Sequence, residues 1–293
     1  MPVLKADDGP TRISVEPRSD RTQVLPCDVV IVTHNSGPLL GDAVASAVNQ
    51  AGAQHVWVVD AESTDGSLEA LPMGPGSVNI LHVTNAGFAA GNNRGIEVGD
   101  APFVLLLNPD AELLAGALPA LLETAQTHPC AGIVGALVLN VDGTVQANSY
   151  GRFPTLRTTI TLHLWRIGQR VRRNSSLSPK RPASTTSVDW VTGAAMLVRR
   201  EAVAEVGFLD EGFFLYYEDV DWCRRMRARG WEVLLEPAAH VVHHLGRSGA
   251  SAAGIMQAYR ASFYRYCDLY GLRSLKTSAR LGLALRRLFG DVS

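Results

Sequence analysis

The sequence of 293 residues lacks any uninterrupted apolar run of about 18 residues, the length that a membrane-spanning helix needs. This absence excludes a protein built on hydrophobic membrane spans. The first 25 residues are polar and lack the apolar core of a secretory signal, so we expect a cytoplasmic protein. Disorder is excluded because 46% of the residues are hydrophobic, and the length suits one large or two modest domains.

Cysteine is scarce. The four cysteines, Cys27, Cys130, Cys223 and Cys267, are far apart and form no C-x-x-C pair. Such spacing excludes a disulfide framework and a zinc knuckle, and it predicts reduced, mostly buried thiols.

Net charge is nearly absent, but the formal value of −1 conceals a division. Residues 152–187 carry eight basic side chains and no acidic one, and residues 255–293 carry seven basic and two acidic ones. Removing these contributions of +8 and +5 from −1 leaves a net charge of −14 on the rest of the chain. An acidic body with two basic segments indicates an anionic partner.

Strand-like and helix-like segments alternate after an expected loose leader at residues 1–26. The expected strands are 28–33, 55–60, 78–84 and 103–107, and the expected helices are 37–50, 64–71, 90–98 and 113–127. This alternation predicts βαβ units and an α/β fold with a mostly parallel, Rossmann-like sheet flanked by helices. Ligands bind beyond the carboxyl ends of strands in such sheets, so the residues that follow each strand are the candidate site.

The second half is predicted to be less regular. A hairpin is expected around Asp142-Gly143, a basic and partly flexible insertion at 152–187, strands at 191–198 and 231–236, a helix at 219–229, and one or two amphipathic helices within 255–289. The predicted organisation is a main domain at 27–254 and a basic helical tail at 255–293.

Polar side chains follow four successive predicted strands. They include Thr33, Asn35, Asp60, Asn93, Arg94 and Asp110. Such a row suits a nucleotide, with amides and carboxylates for base and ribose, an arginine for phosphate and a carboxylate for a divalent cation. Simpler interpretations exist for single motifs: residues 63–65 can cap a helix, and residues 108–110 form a common turn.

Glycines 87, 91 and 95 follow a G-x-x-x-G-x-x-x-G spacing rather than the G-x-G-x-x-G of dinucleotide-binding folds. They are therefore poor support for an NAD-dependent oxidoreductase and can simply permit close helix packing.

Two further groups carry possible chemistry. Glu218 and Asp219 follow an aromatic run, where they either complement a helix dipole or deprotonate a sugar hydroxyl. In the segment His240 to His244, alternation along an extended chain turns His243 away from the other two histidines. That pattern fits either an exposed pair or a single histidine that joins Asp110 on a metal.

Together these motifs resemble the family 2 inverting glycosyltransferases of GT-A fold, and within them the bacterial rhamnosyltransferase branch. The resemblance runs from about residue 28 to Ser248 and is carried by the segments 32–36, 59–66, 85–95, 107–110, 190–194, 208–221 and 243–248. It implies a nucleoside-diphosphate sugar donor (dTDP- or UDP-linked), a glycan or polyprenyl-diphosphate saccharide acceptor, and Mn²⁺ or Mg²⁺ as cofactor.

The resemblance also implies roles for individual residues. Thr33, Asn35 and Asp60 would bind the nucleoside, with Asn93 and Arg94 nearby; Asp110 and His243 would bind the metal; Asp219 would be the catalytic base; and Glu218, Thr192 and Gly193 would line the acceptor pocket. Two positions depart from the family pattern. Asn108 replaces the first aspartate of the D-x-D motif, which removes one anionic metal ligand, and Ala61 replaces an asparagine that commonly follows Asp60.

The departures keep a second function open, a nucleotide-sugar-binding protein without transferase activity. The basic segments favour a surface helix on an anionic membrane, at the inner face of the plasma membrane, although helices packed on the core are an equal alternative. Nucleic acid is not an expected partner because no nucleic-acid-binding motif accompanies the charge.

Overall fold

The computed structural model describes residues 25–71, 78–155, 181–245 and 252–289. Almost all of the expected leader lies outside these residues, and so do the middle of the basic insertion and Ser248.

The described residues form strands and helices in an alternating order. The strands are β1 (Cys27–Thr33), β2 (Ala53–Ala61), β3 (Val78–Val83), β4 (Phe103–Leu107), β5 (Ala111–Leu113), β6 (Ala131–Leu139), β7 (Tyr150–Gly151), β8 (Thr186–Ser187), β9 (Trp190–Val191), β10 (Ala195–Arg199) and β11 (Glu232–His243). The helices are α1 (Leu39–Val48), α2 (Phe88–Val98), α3 (Ala117–Thr127), α4 (Arg200–Val206), α5 (Glu218–Ala228), α6 (Ala252–Leu269) and α7 (Arg273–Phe289).

The main sheet has the strand order β3-β2-β1-β4-β10-β6-β11-β5, with β8 beside β11. Neighbouring strands in the group β3-β2-β1-β4 are parallel, as are β6 and β11, whereas β10 runs antiparallel between β4 and β6. The prediction of a mostly parallel sheet flanked by helices is confirmed. The first four predicted strands are indeed neighbours, so their carboxyl ends share one edge.

Helices cover both faces of this sheet, and the alternation of side chains along β1 explains why. Val29 and Ile31 belong to a core cluster with residues of α1 and α3, whereas Val30 and Val32 belong to a cluster on the other face with residues of α2 and α5. A strand that is buried on both faces needs a continuous apolar run, which β1 has.

Two of the glycines noted in the sequence allow α2 to lie directly on β1. A Cβ atom on Gly91 would lie 2.6 Å from Val32 Cγ1, and one on Gly95 would lie 2.3 Å from Val30 Cγ1. Both distances are shorter than real carbon contacts, so larger residues would push the helix off the sheet. These glycines serve close helix packing, as the simpler interpretation of the sequence held.

Four predicted elements were wrong in extent or type, and one of them, the strand expected at 231–236, runs on to His243 as β11. The helix expected at 113–127 begins only at Ala117, because residues 111–113 pair with β11 and Gly116 has a φ of 80°. The strand expected at 191–198 is interrupted at 192–194, because β9 pairs with β7 in a small second sheet while β10 joins the main one. The helix expected at 64–71 is a single 3₁₀ turn at Ser67–Ala70.

The carboxy-terminal region forms two helices, as one of the expected arrangements held. Helix α6 packs on the loop that precedes α5: Ser262 donates a hydrogen bond to the Leu215 carbonyl at 2.7 Å, and Tyr266 is fully buried. Within the described ranges, none of the helices has the length and apolar character needed to cross a membrane. The four cysteines are unpaired, and all but Cys130 are buried.

Candidate active site

The carboxyl ends of β1 and β2 bring together the first group of predicted site residues. Thr33 ends β1 and is fully buried. Asp60, near the end of β2, accepts a hydrogen bond from the Ser63 backbone N–H at 3.2 Å. Asn35, at a φ of 55°, accepts one from the Thr64 backbone N–H at 2.8 Å. The loops that follow the two strands are thereby tied together into a preorganised polar edge.

Asn93 and Arg94 occupy α2 and have other partners. The Asn93 side chain donates to the Leu209 carbonyl at 3.0 Å and accepts from the Leu209 N–H at 3.1 Å, so both ends of its amide are engaged. The half-exposed Arg94 pairs with Glu97 at 2.7 Å and with Glu211 at 3.8 Å. The structure thus uses Asn93 to hold the loop at 209–217, which the sequence did not indicate.

Asp110 and His243 lie side by side. They meet because β5 pairs with β11 and places Ala111 opposite His243. The Nε2 atom of His243 is 3.0 Å from Asp110 Oδ1, and Asn108 Nδ2 is 3.1 Å from the same nitrogen. The predicted metal residues are therefore one cluster, with Asn108 as its third member.

This cluster fits a divalent cation. The His243 Nε2 atom and the Asp110 Oδ1 atom, 3.0 Å apart, are a nitrogen and an anionic oxygen of the kinds that would hold Mn²⁺ or Mg²⁺. Asn108 Oδ1 is buried and has no hydrogen-bond partner among the described residues, as expected of a polar atom that a ligand completes. The cluster has one carboxylate, because Asn108 supplies an amide.

A second set of metal-type side chains, Asp28, His55 and Asp100, lies elsewhere. Asp28 and His55 are opposite each other near the amino ends of β1 and β2, at the sheet edge remote from Asp110. Arg200 already pairs with Asp28 at 3.3 Å. We therefore do not count this set as part of the site.

Asp219 lies in the first turn of α5. One of its carboxylate oxygens accepts from the Gly193 N–H at 3.0 Å and the other from the Val220 N–H at 2.7 Å. Glu218 precedes it and is buried, and its Oε2 atom has no hydrogen-bond partner in the described part of the chain. The two predicted acids thus differ, since one is held by backbone donors and the other is not.

Burial raises the pKa of both acids. For Asp219, the hydrogen bonds from Gly193 and Val220 oppose that effect and favour the carboxylate. For Glu218, burial and then the neighbouring charge of Asp219 raise the pKa well above its ordinary value. These causes favour ionisation of Asp219 before that of Glu218.

One short segment joins the acid pair to the metal-type cluster. Gly193 donates to Asp219, and the next residue, Ala194, accepts a hydrogen bond from the Asn108 N–H at 3.0 Å. The interruption of the predicted strand at 192–194 produces this arrangement, because it turns a backbone N–H toward α5. Asp219 and the Asp110–His243 cluster therefore lie on either side of a single segment.

Comparison with known proteins agrees with this geometry. The profile described as Glycosyl transferase family 2 matches residues 28–207. The chain belongs to glycosyltransferase family 2.

Two curated members of this family give the degree of relatedness. The N-acetylglucosaminyl-diphospho-decaprenol L-rhamnosyltransferase of Mycobacterium tuberculosis is 33% identical over 265 residues, which cover 83% of each chain. The rhamnosyltransferase WbbL of Escherichia coli is 27% identical over 173 residues, 56% of this chain and 63% of that one. These similarities support a glycosyltransferase of cell-wall or surface-glycan assembly.

Solved structures show that the fold is of the GT-A glycosyltransferase type. The structure of GalNAc-T7 with UDP, GalNAc and Mn²⁺ matches with a TM-score of 0.60 at 16% identity, covering 84% of this chain and 48% of that one. Staphylococcus aureus TarS matches with a TM-score of 0.54 at 13% identity, covering 83% and 40%. This family 2 chain therefore spans about half the length of those structures.

The sequence did not assign a role to Tyr216, which lies two residues before the acid pair. Its pKa is raised by burial and further by the charges of Glu218 and Asp110. Tyr216 and Tyr217 have φ values of 69° and 68°. Such a conformation costs energy in non-glycine residues and is typical of ligand-binding segments, but no sequence pattern reveals it.

Proposed function

We propose that this glycosyltransferase transfers rhamnose, or a similar hexose, from a dTDP- or UDP-sugar to a hydroxyl of a glycan or polyprenyl-diphosphate-linked saccharide, with inversion at the anomeric carbon. The observation that carries the proposal is the position of Asp219 across the segment 192–194 from the Asp110–His243 cluster. The acceptor and sugar are suggested by the name of the Mycobacterium tuberculosis relative.

The donor nucleoside is proposed to bind at the edge formed by Thr33, Asn35 and Asp60. The hydrogen bonds that tie the two loops together support this assignment, because they fix the polar groups before the ligand arrives. Arg94 is the proposed cation near the ribose or diphosphate. Asn93 contributes to the same wall indirectly, by holding Leu209.

Asp110 and His243, with Asn108 beside them, are the residues proposed to hold Mn²⁺ or Mg²⁺. A divalent cation supplies positive charge that stabilises the departing diphosphate. Asp110 provides the one anionic ligand, and the buried Asn108 amide provides an uncharged oxygen when it is turned toward the ion.

Asp219 is the proposed catalytic base. It takes the proton of the acceptor hydroxyl while the hydroxyl oxygen attacks the anomeric carbon from the face opposite the diphosphate. The bond from that carbon to the diphosphate oxygen breaks as the new glycosidic bond forms. Glu218, Thr192 and Gly193 are proposed to line the acceptor pocket, where the Gly193 N–H keeps the base oriented.

The carboxy-terminal helix α7 is proposed to lie on an anionic membrane at the cytoplasmic face, where lipid-linked acceptors are available. Leu281 is 59% exposed in this helix, and positions 281, 285 and 288 recur at the spacing of one helix face. Co-sedimentation with vesicles that contain anionic lipid tests this; binding that is the same with neutral vesicles would contradict it.

The function is tested by a thermal-shift screen of the full chain against dTDP- and UDP-sugars with and without Mn²⁺, followed by a transfer assay with a polyprenyl-diphosphate saccharide. We expect one donor class to stabilise the protein more strongly with Mn²⁺ and to be consumed only when acceptor is present. Donor binding without turnover for any acceptor would favour the alternative, a nucleotide-sugar-binding protein.

A further inference from the structure

A chain of hydrogen bonds begins in the turn after β6 and ends at His243. Asp142 accepts a hydrogen bond from the Thr144 hydroxyl at 2.6 Å, so the hydroxyl oxygen is left to accept from Asn140 Nδ2 at 2.9 Å. The carbonyl oxygen of the Asn140 amide must then point the other way. It accepts from Gln146 Nε2 at 3.2 Å.

The orientation of the Gln146 amide follows from its neighbours. Its Nε2 group faces two atoms that can only accept, Asn140 Oδ1 at 3.2 Å and the His243 carbonyl at 3.3 Å. Its Oε1 atom therefore faces His243 Nδ1, at 2.9 Å. Since a carbonyl oxygen only accepts, Nδ1 of His243 must carry a hydrogen.

The other ring nitrogen, Nε2, is then the one left for the cluster, where it can hydrogen-bond to the Asp110 carboxylate or coordinate an ion. That atom is the one 3.0 Å from Asp110 Oδ1. The ring is buried and has its ligand nitrogen directed at the cluster before any ion arrives.

We propose that Gln146 is a positioning residue that accepts a hydrogen bond from His243 Nδ1–H and thereby keeps Nε2 as the ring nitrogen that faces Asp110 and the proposed ion. The inference extends the proposed metal-binding role of His243. Its consequence for metal affinity rests on that proposed function, whereas the hydrogen bond between Gln146 and His243 does not. Groups of this kind behind a histidine ligand typically change metal affinity by about 10- to 100-fold when they are removed.

The direct test is a long-range ¹H–¹⁵N correlation spectrum of the metal-free full chain labelled with [¹⁵N]histidine, which distinguishes a protonated from an unprotonated ring nitrogen. His243→Gln identifies the signal. We expect Nδ1 to be protonated in the wild-type protein and no longer fully protonated in Gln146→Leu. An unprotonated Nδ1 in the wild type, or an Nδ1 signal that Gln146→Leu leaves unchanged, would overturn the inference.

Gln50→Leu is the matched control, because Gln50 is also buried (8% exposed, against 6% for Gln146). Its side chain bonds to backbone groups of α1, of α3 and of the loop between β5 and α3. It should lower stability without altering the His243 signal. If Gln146→Leu does not fold, Gln146→Met removes the same acceptor with a side chain of similar size and should also leave Nδ1 no longer fully protonated; an unchanged Nδ1 signal there would count against the proposal.

A Mn²⁺ titration monitored by electron paramagnetic resonance tests the effect of Gln146 on metal affinity. We expect Gln146→Leu to weaken binding about 10- to 100-fold. Gln146→Glu keeps an acceptor for Nδ1–H and should bind much more tightly than the leucine variant. Equal affinity of the wild type and Gln146→Leu would contradict the positioning role. If the wild type itself binds no Mn²⁺, the proposed metal site fails, and the ¹H–¹⁵N spectrum still decides the inference.

Discussion

The two sides of the candidate active site differ in whether their polar groups have hydrogen-bond partners. On the β1–β2 side, Asn35 accepts a hydrogen bond from the backbone of the loop after β2, and Asp60 accepts one from Ser63 in its own loop. On the other side, Asn108 Oδ1 and Glu218 Oε2 are buried without partners among the described residues. Unsatisfied buried groups cost stability and are retained where a ligand completes them. The polar groups of the β1–β2 side therefore have their partners before a ligand binds, whereas those of the other side gain partners only when the ligands bind.

The largest expected effect is on catalysis, at the side that carries Asn108 and Glu218. Asp219→Asn should lower the rate of sugar transfer by about 10²- to 10⁴-fold, because an amide cannot take the acceptor proton. Donor affinity should not change, since Asp219 bonds only to backbone N–H groups in the described structure. Single-turnover transfer and a donor titration measure the two quantities.

Asp268→Asn is the control for this change, because Asp268 is an exposed carboxylate on α6 that pairs with Lys276. It should transfer at the wild-type rate. Near-normal turnover of Asp219→Asn would show that the base is a different residue.

Restoring the missing carboxylate tests the metal cluster. Asn108→Asp should raise Mn²⁺ affinity about tenfold, because hard cations bind more tightly as anionic oxygen ligands are added. Asn49→Asp, at the exposed carboxyl end of α1, adds the same charge outside the cluster and serves as the control. The measurement is a titration of free Mn²⁺ by electron paramagnetic resonance, and equal affinities for both variants would place the ion elsewhere.

A smaller effect is expected for donor binding at the β1–β2 side. Asn35→Ala removes the acceptor of the Thr64 N–H, and a loss of about 1 kcal/mol corresponds to a roughly fivefold higher KM for the donor at little change in kcat. Asn93→Ala should lower the midpoint of urea unfolding and raise the donor KM less than Asn35→Ala does, because its amide is bonded to Leu209. The reverse outcome would move nucleotide contact from Asn35 to Asn93.

The smallest effect concerns the pH dependence of stability. Folding raises the pKa of Glu218, so the folded state loses stability as the pH rises above the unfolded value, about 4.3, and through the folded pKa. Glu218→Gln cannot ionise and avoids this loss. Its Tm relative to the wild type should therefore increase by a few degrees between pH 5 and pH 8. A difference that is constant with pH would mean that Glu218 does not titrate in this way.

Local patterns were sufficient to predict the first half of the fold. Apolar runs such as 28–33 and 103–107 mark strands that are buried on both faces, and the polar residues after them lie at one edge because β3, β2, β1 and β4 are neighbours. The pairing of Asp110 with His243 was also anticipated, through the resemblance. Its physical basis is the three-residue strand β5, which is too short to be recognised without its partner β11.

Contacts between distant residues account for what the sequence did not show. The break at 192–194 reflects pairing of β9 and β10 with different sheets, and no local pattern encodes the left-handed conformation of Tyr216. Gln146 reaches His243 across 97 positions of the chain. Asn93 lies among residues that match a nucleotide motif, yet its amide is bound to Leu209, 116 positions away.

The central claim is a single displacement in which Asp219 deprotonates the acceptor on the face opposite the departing diphosphate. The most direct measurement is the anomeric configuration of the sugar before and after transfer by the full chain with Mn²⁺, determined by NMR of the donor and of the isolated product. The account predicts opposite configurations. A product with the donor's own configuration would contradict it.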